Sequence, residues 1–225
     1  IGDFRRLDLA LGGQGAPLVP IGDRHLFNQY PFCLNLGGFS NISFEENSSR
    51  IAYDICPVNI VLNHLAQKEG KAYDKDGEIA KSGMIDNSLL NELNNLEFYK
   101  TKKQKSLGKE WVVEKIFPLL NNSNLSNADL MATYVEHTAE QLALNINGDV
   151  LITGGGAFNK YLIERLREKL NKNFRIHIPE PIIINYKEAL IFAFLGVLRV
   201  REEINTLSSV TGAKKDSCGG LIAGF

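Results

Sequence analysis

Three short runs of strand-forming residues, Phe32–Leu36, Ile42–Glu45 and Arg50–Ile55, follow one another with only a few residues between them. Gly37-Gly38 fills the first gap and Asn47-Ser48-Ser49 the second. Connections this short join antiparallel neighbours, because a parallel crossover needs a dozen residues or more. The chain is therefore committed early to a sheet that begins as a meander. Pro57 sits where a first helical turn tolerates proline, and Val61, Leu62, Leu65 and Ala66 recur at helical spacing, predicting a helix up to about Glu69.

From Asp86 to about Asn145 the pattern is helical, with Leu89, Leu90, Leu93 and Leu96 in one stripe and Ser126 with Asp129 as a start signal for another helix. Val150-Leu151-Ile152 then reads as a strand, Gly154-Gly155-Gly156 as a tight turn, and Ala157 to Leu170 as an amphipathic helix carrying Leu162, Ile163 and Leu166. A fifth strand is expected at Phe174 to Ile178. A last helix is expected from Lys187 to about Glu203, apolar nearly all round and so buried. Three antiparallel strands, helix, strand, helix, strand, helix is the order of the α/β ribonuclease-H-like domain of actin-type ATPases, a mixed sheet with flanking helices; another mixed α/β fold could share this order, so the motifs decide.

At 225 residues and 44% hydrophobic, the chain can bury a core without metal or disulfide. Its 25 basic and 26 acidic side chains leave a net charge of -1, which removes the electrostatic case for nucleic-acid or acidic-membrane partners and favours small molecules. Cys33, Cys56 and Cys218 are far apart with no C-x-x-C pair, in keeping with a reducing cytoplasm. No leader pattern and no apolar run of membrane-spanning length is read. Ile1-Gly2-Asp3-Phe4 reads as a loop leaving an earlier element, so further N-terminal sequence is expected.

The common phosphate-binding and hydrolase motifs (the Walker loop, a complete G-x-G-x-x-G, H-E-x-x-H and G-x-S-x-G) do not occur in the chain. The two glycine turns remain, one at Gly37 and Gly38 with Asn41 just beyond, the other at Gly154, Gly155, Gly156 and Ala157. Glycine lets backbone N–H groups approach phosphate oxygens, and a helix start behind the second turn would add positive potential; either turn alone could equally be an ordinary connection. Asp54 ends the third strand, where a carboxylate can take a proton from water or cap the next helix. Glu188 could contact a ligand or serve as a first-turn carboxylate. Arg5 and Arg6 could orient an anion or decorate a solvated turn. The four histidines show no metal spacing, no metal-ligand set is read anywhere, and Cys56 beside Asp54 would be hard to ionise.

Longer runs narrow this. Asp3-Phe4-Arg5-Arg6, Gly12-Gly13-Gln14-Gly15-Ala16-Pro17-Leu18-Val19-Pro20, Leu34-Asn35-Leu36-Gly37-Gly38-Phe39-Ser40-Asn41, Lys105-Ser106-Leu107-Gly108-Lys109-Glu110, Gly154-Gly155-Gly156-Ala157-Phe158-Asn159, Glu188-Ala189 and Val210-Thr211-Gly212-Ala213 resemble the anhydro-N-acetylmuramic acid kinase family from end to end of the chain. The resemblance implies an ATP- and Mg²⁺-dependent kinase of peptidoglycan recycling that hydrolyses the 1,6-anhydro ring of its amino sugar while phosphorylating O6. It implies Asp54 as general base, Gly37, Gly38 and Asn41 as a phosphate turn, and Gly154 to Ala157 as the adenosine-side turn. Glu188 becomes a sugar contact, and Arg5 or Arg6 reaches the lactyl carboxylate or the sugar. Lys105 to Glu110 is similar to the family's K-S-T-G-R-E segment but receives no role.

On this reading residues 1–11 are a hinge or remnant of an N-terminal lobe, 12–205 a C-terminal ribonuclease-H-like lobe, and 206–225 a weakly ordered tail returning toward the other lobe. A homodimer is compatible with it. The sequence departs from the family in two ways. Most members read D-C-G-P-G-N where this chain has Asp54-Ile55-Cys56-Pro57-Val58-Asn59, and a valine there would obstruct a substrate if the glycine served close approach. The family's N-terminal phosphate turn is also absent, so the chain by itself is not expected to turn over. Both departures keep a non-catalytic nucleotide- or sugar-binding module as the alternative, with a purely structural domain behind it.

Overall fold

The computed structural model describes residues 1–100 and 106–224. Its centre is a five-stranded sheet in the order β3-β2-β1-β4-β5. The strands are β1 (Phe32–Leu36), β2 (Phe39–Glu46), β3 (Ser49–Pro57), β4 (Val150–Thr153) and β5 (Ile176–His177). β2 runs antiparallel to β1 and β3, while β4 lies parallel to β1 and β5 parallel to β4. This mixed order, with helices on both faces, is the ribonuclease-H-like arrangement that the element order predicts.

Side-chain alternation along each strand sorts the core into two layers. Leu34, Leu36, Ile42, Val150 and Ile152 point to one face, under α3 (Asn59–Lys68) and the helices Asn127–Asn145 and Lys160–Lys169. Cys33, Ala52 and Leu151 point to the other, against α2 (Val19–Leu26) and the helix Pro181–Val200, whose Ile191 and Leu195 are wholly buried. Ser126 caps the Asn127–Asn145 helix as its sequence signal predicts, accepting the Asp129 N–H.

Several boundaries differ from expectation for local reasons. Pro57 closes β3 instead of opening a helix, and Val58 occupies the N-cap of α3. The Gly154 turn leads into a single 3₁₀ turn, Gly155–Phe158, and the α-helix starts only at Lys160, where Asn159 accepts the Leu162 N–H. The positive helix start expected behind the glycines is thus four residues away and already capped. The last helix begins at Pro181, two turns before the predicted start, because proline suits a first helical position. It is not buried all round: Tyr186 is 63% and Val200 64% exposed. By length and composition this helix is also apolar enough to cross a membrane, contrary to the expectation that the chain has no such run. In the fold its inner stripe instead packs on the sheet.

The tail is held rather than loose. Thr206 pairs with Ser217, Gly2 pairs with Leu221, and Thr211 is 1% exposed. The anchor is Asp8, in the short helix α1 (Arg6–Ala10) and itself 1% exposed. One carboxylate oxygen accepts the Gly15 N–H at 2.8 Å and the other the Thr211 hydroxyl at 2.7 Å. A Cβ on Gly13 would lie 2.2 Å from that carboxylate, so the Gly12-Gly13-Gln14-Gly15 run folds around a buried acid.

Asp8→Ala strands two buried donors, and the expected loss is about 3 kcal/mol. At this chain length that is a fall in Tm of roughly 6–12 °C by thermal denaturation. An unchanged Tm would contradict the anchoring role.

Candidate active site

β1 and β4 run parallel and leave the sheet at the same edge, β1 through Gly37-Gly38 and β4 through Gly154-Gly155-Gly156. The two turns touch. Gly154 has φ +81°, and a Cβ there would stand 2.8 Å from the Leu36 carbonyl oxygen and 2.7 Å from Asn35 Oδ1. A Cβ on Gly156 would stand 2.7 Å from Leu36 Cβ. Both glycines are therefore demanded by close packing whether or not a ligand binds. Gly155 is exposed, with only Asn59 Nδ2 near its Cβ position at 3.8 Å, and Gly38 is exposed as well. Gly156 and Ala157 turn inward and are buried. Asn59 holds the first turn, its backbone N–H donating to Gly37 O at 3.2 Å and its side-chain amide to Leu36 O at 3.1 Å.

Strand register lines up a polar row across the sheet beside these turns. Asn35 stands opposite Thr153 on one side and Asn41 on the other, and Asn41 stands opposite Asp54. A bulge between Ser40 and Asn41 lets Ile55 and Cys56 both enter the main core, leaving Asp54 as the last β3 side chain on the polar face. Cys56 and Val58 are fully buried, so the side chains that replace the family's glycines point away from the cleft and obstruct nothing in it.

Asn35, Asn41 and Asp54 floor a cleft of about 570 Å³. One wall is the loop carrying Gln14, Ala16 and Pro17, continued by Val19 and Pro20 of α2; Asn185, Lys187 and Glu188 of the last helix form another, and Ser106 and Gly154 complete the rim. Glu188 is exposed and lies two turns inside its helix, which removes the first-turn explanation for it. Asp54 caps no helix. It is partly buried and accepts the Leu107 N–H at 2.8 Å, and the Ser106 side chain stands beside it on the rim of the cleft. Burial pushes its carboxyl above the usual carboxylate range, opposed by the Leu107 N–H.

Arg5 and Arg6 do not line the cleft. Arg5 donates to Gly15 O at 2.5 Å, bracing the Gln14 wall from behind, and Arg6 is exposed. Of the family-like Lys105–Glu110 run, Lys105 lies outside the described residues. Sequence reasoning missed the charged pair behind the last helix. Lys187 Nζ sits 2.7 Å from Asp23 Oδ1, Ser43 donates to Asp23 Oδ2 at 2.5 Å, and Arg50 donates to Ser43 at 2.7 Å, all nearly sealed from solvent. A lysine within an apolar helical run was the available signal. His137 is fully buried, pushed down to about 3 by desolvation and bonded to Asn94, which is a core role.

In the folded chain Asp54 holds its proton to higher pH than in the unfolded chain, where the ordinary value is 3.8. Between those two values the native state binds more protons, so stability falls as pH rises through the window. Asp54→Asn keeps an acceptor for Leu107 without the charge. It is expected to raise Tm at pH 7 and to lose that advantage as the pH falls below the unfolded value; a lower Tm at pH 7 would contradict the burial argument.

A sequence profile of the anhydro-N-acetylmuramic acid kinases matches residues 1–224. Curated relatives of that name from Mannheimia succiniciproducens and Pseudomonas savastanoi pv. phaseolicola are 37% and 38% identical over 99% and 95% of this chain. The chain spans 65% and 63% of their lengths. Among solved structures, the activator of the 2-hydroxyisocaproyl-CoA dehydratase from Clostridium difficile with bound ADPNP overlaps at 14% identity and TM-score 0.49, covering 82% of this chain and 66% of that one. On the profile match and the relatives' identity, this chain belongs to the anhydro-N-acetylmuramic acid kinase family.

Proposed function

We propose that the chain forms the lobe of an ATP-dependent sugar kinase that holds the general base, one phosphate turn and the adenosine-side turn, and that the whole protein opens and phosphorylates 1,6-anhydro-N-acetylmuramic acid. The observation that carries this reading is the placement of Asp54 in one cleft with Gly154 and Glu188. The exposed Gly38 and Gly155 suit close approach of phosphate oxygens to backbone N–H groups. When bound, ATP supplies the phosphoryl group that the departing O6 takes up. Asp54 accepts a proton from the water that adds to the anomeric carbon as the bond from that carbon to O6 breaks. A carboxyl raised by burial is a better base than an exposed one, since proton affinity rises with the same shift. Glu188 accepts a sugar hydroxyl from the opposite wall. The described residues hold no cluster of three acidic, histidine or cysteine side chains, and Mg²⁺ on this reading arrives largely ligated by nucleotide phosphates.

The proposal extends to residues 1–11 as hinge, 12–205 as lobe and 206–225 as the return toward the other lobe. It includes peptidoglycan recycling in the cytoplasm, a homodimer, and no nucleic-acid or membrane partner, supported by the net charge of -1. Arg5 and Arg6, outside the cleft of this lobe, would reach the substrate only through groups contributed from beyond it. The non-catalytic alternative loses one of its two supports, because Cys56 and Val58 lie in the core.

A protein extended to the length of its relatives, given ATP, Mg²⁺ and the anhydro sugar, is expected to form the 6-phosphate. Asp54→Asn should lower kcat by roughly 10²–10⁴-fold, the usual worth of a general base. No phosphosugar from the extended wild type overturns the assignment.

A further inference from the structure

The last helix, Pro181–Val200, carries two apolar stripes. Ile184, Ile191, Leu195 and Leu198 are buried on one side, while Ile182, Tyr186, Leu190, Val197 and Val200 are between 42% and 64% exposed on nearly the opposite side. Burial of apolar area alone therefore does not decide which stripe faces the sheet. The choice matters for the cleft, because Glu188 lies on the flank of the inner stripe, and a rotation that exchanged the stripes would carry it to a different side.

Of the buried residues of this helix, only Lys187 is charged. Its Nζ sits 2.7 Å from Asp23 Oδ1, 3.5 Å from Thr153 Oγ1 and 5.2 Å from the centre of the Phe27 ring. These partners come from α2, from the residue before Gly154 and from the end of α2. Beside the pair the two helices are in close contact, since a Cβ on Gly22 would collide with Ile191. Asp23 is 4% exposed, so a rotation taking Lys187 to solvent would leave that carboxylate with the Ser43 hydroxyl and the more distant Arg50, 3.9 Å away. Separating a buried charge from its partner in this way is costly.

We propose that the Lys187–Asp23 pair is a rotational pin: Lys187 is a positioning residue that selects, between two apolar stripes, the one that faces the sheet, and so turns Glu188 into the cleft.

The pin adds specificity and little net stability. Desolvation offsets most of the attraction between the two charges, whereas a polar group buried at a single position excludes alternative packings that apolar residues would accept. Stability and orientation should therefore separate when both charges are removed together, which a purely structural pair would not allow. The consequence of the pin for turnover rests on Glu188 being a sugar contact; its effect on the helix does not.

The test compares Lys187→Met, Asp23→Asn and the double variant of this chain by thermal denaturation and methyl NOE spectroscopy. Met fills most of the lysine's volume, and Asn keeps an acceptor for Ser43. Each single variant should lower Tm by roughly 10 °C, because one buried charge loses its partner, and the double variant should return to within about 3 °C of wild type. In wild type the Ile191 methyl groups give NOEs to the Gly22 α protons. In the double variant those NOEs should be lost or split, with new ones appearing between Leu190 and α2. A double variant as stable as wild type that keeps the Ile191–Gly22 NOEs at full strength overturns the pin, and so does a fall in Tm equal to the sum of the single falls. In the protein extended to the length of its relatives, the double variant should raise KM for the anhydro sugar about tenfold and add little to the effect of Glu188→Gln. Additive effects on that KM overturn the positioning role. If Glu188→Gln alone leaves KM unmoved, the sugar-contact reading falls while the NOE result still decides the pin.

Discussion

The meeting of β1 and β4 at their carboxyl ends governs the rest of this molecule. Two parallel strands cannot both leave one sheet edge through ordinary side chains when the second exit passes under the carbonyl of the first. Gly154 resolves this with a left-handed φ and no Cβ against Leu36, and Gly156 repeats the economy two residues on. Once those exits are fixed side by side, strand register brings Thr153, Asn35, Asn41 and Asp54 into one polar row. Ligands of open α/β sheets sit beyond the carboxyl ends of the strands, and that is where the exposed Gly38 and Gly155 lie. Packing alone demands glycine at Gly154 and Gly156, which is why glycine at these turns is not by itself diagnostic of a ligand.

Buried charges set the walls of the cleft. Asp8 has both oxygens engaged, one by the Gly15 N–H and one by the Thr211 hydroxyl, and so ties the Gln14 wall to the tail that carries Val210. On the other side the Asp23–Lys187 pair holds α2 to the last helix at the residue next to Glu188. A buried ion pair is a weak source of net stability, because desolvation offsets much of its attraction, but breaking one partner is costly. Such pairs fix geometry more than they add stability. Cys33, beside this pair, is pushed up to about 11 by burial and by Asp23, and is inert as a nucleophile at neutral pH.

The strand order, the glycine turns and the helix starts at Ser126 were legible because each rests on local chemistry, short connections, backbone freedom and a capping side chain. What was not legible depends on contacts far apart in sequence. Asp54 reads equally well as cap or base until the bulge at Asn41 shows which face it takes. Cys56 and Val58 look obstructive until the same bulge turns them into the core. Arg5 and Arg6 look like ligand-binding cations, yet Arg5 is engaged ten residues along, at Gly15. Lys187 disappears in an apolar helix until Asp23 of α2 is placed against it. The tail reads as loose from its glycines, and only the buried Asp8 shows what holds it.

The central claim is that the paired strand exits form a cradle for the nucleotide's phosphates next to Asp54. Amide chemical-shift mapping of this chain during titration with a magnesium complex of a non-hydrolysable ATP analogue tests it most directly. The account predicts the largest shifts at Gly38 and Gly155, with smaller ones along Asn35, Asn41 and Asp54. Saturable binding whose shifts cluster elsewhere, with these amides unmoved, would contradict it.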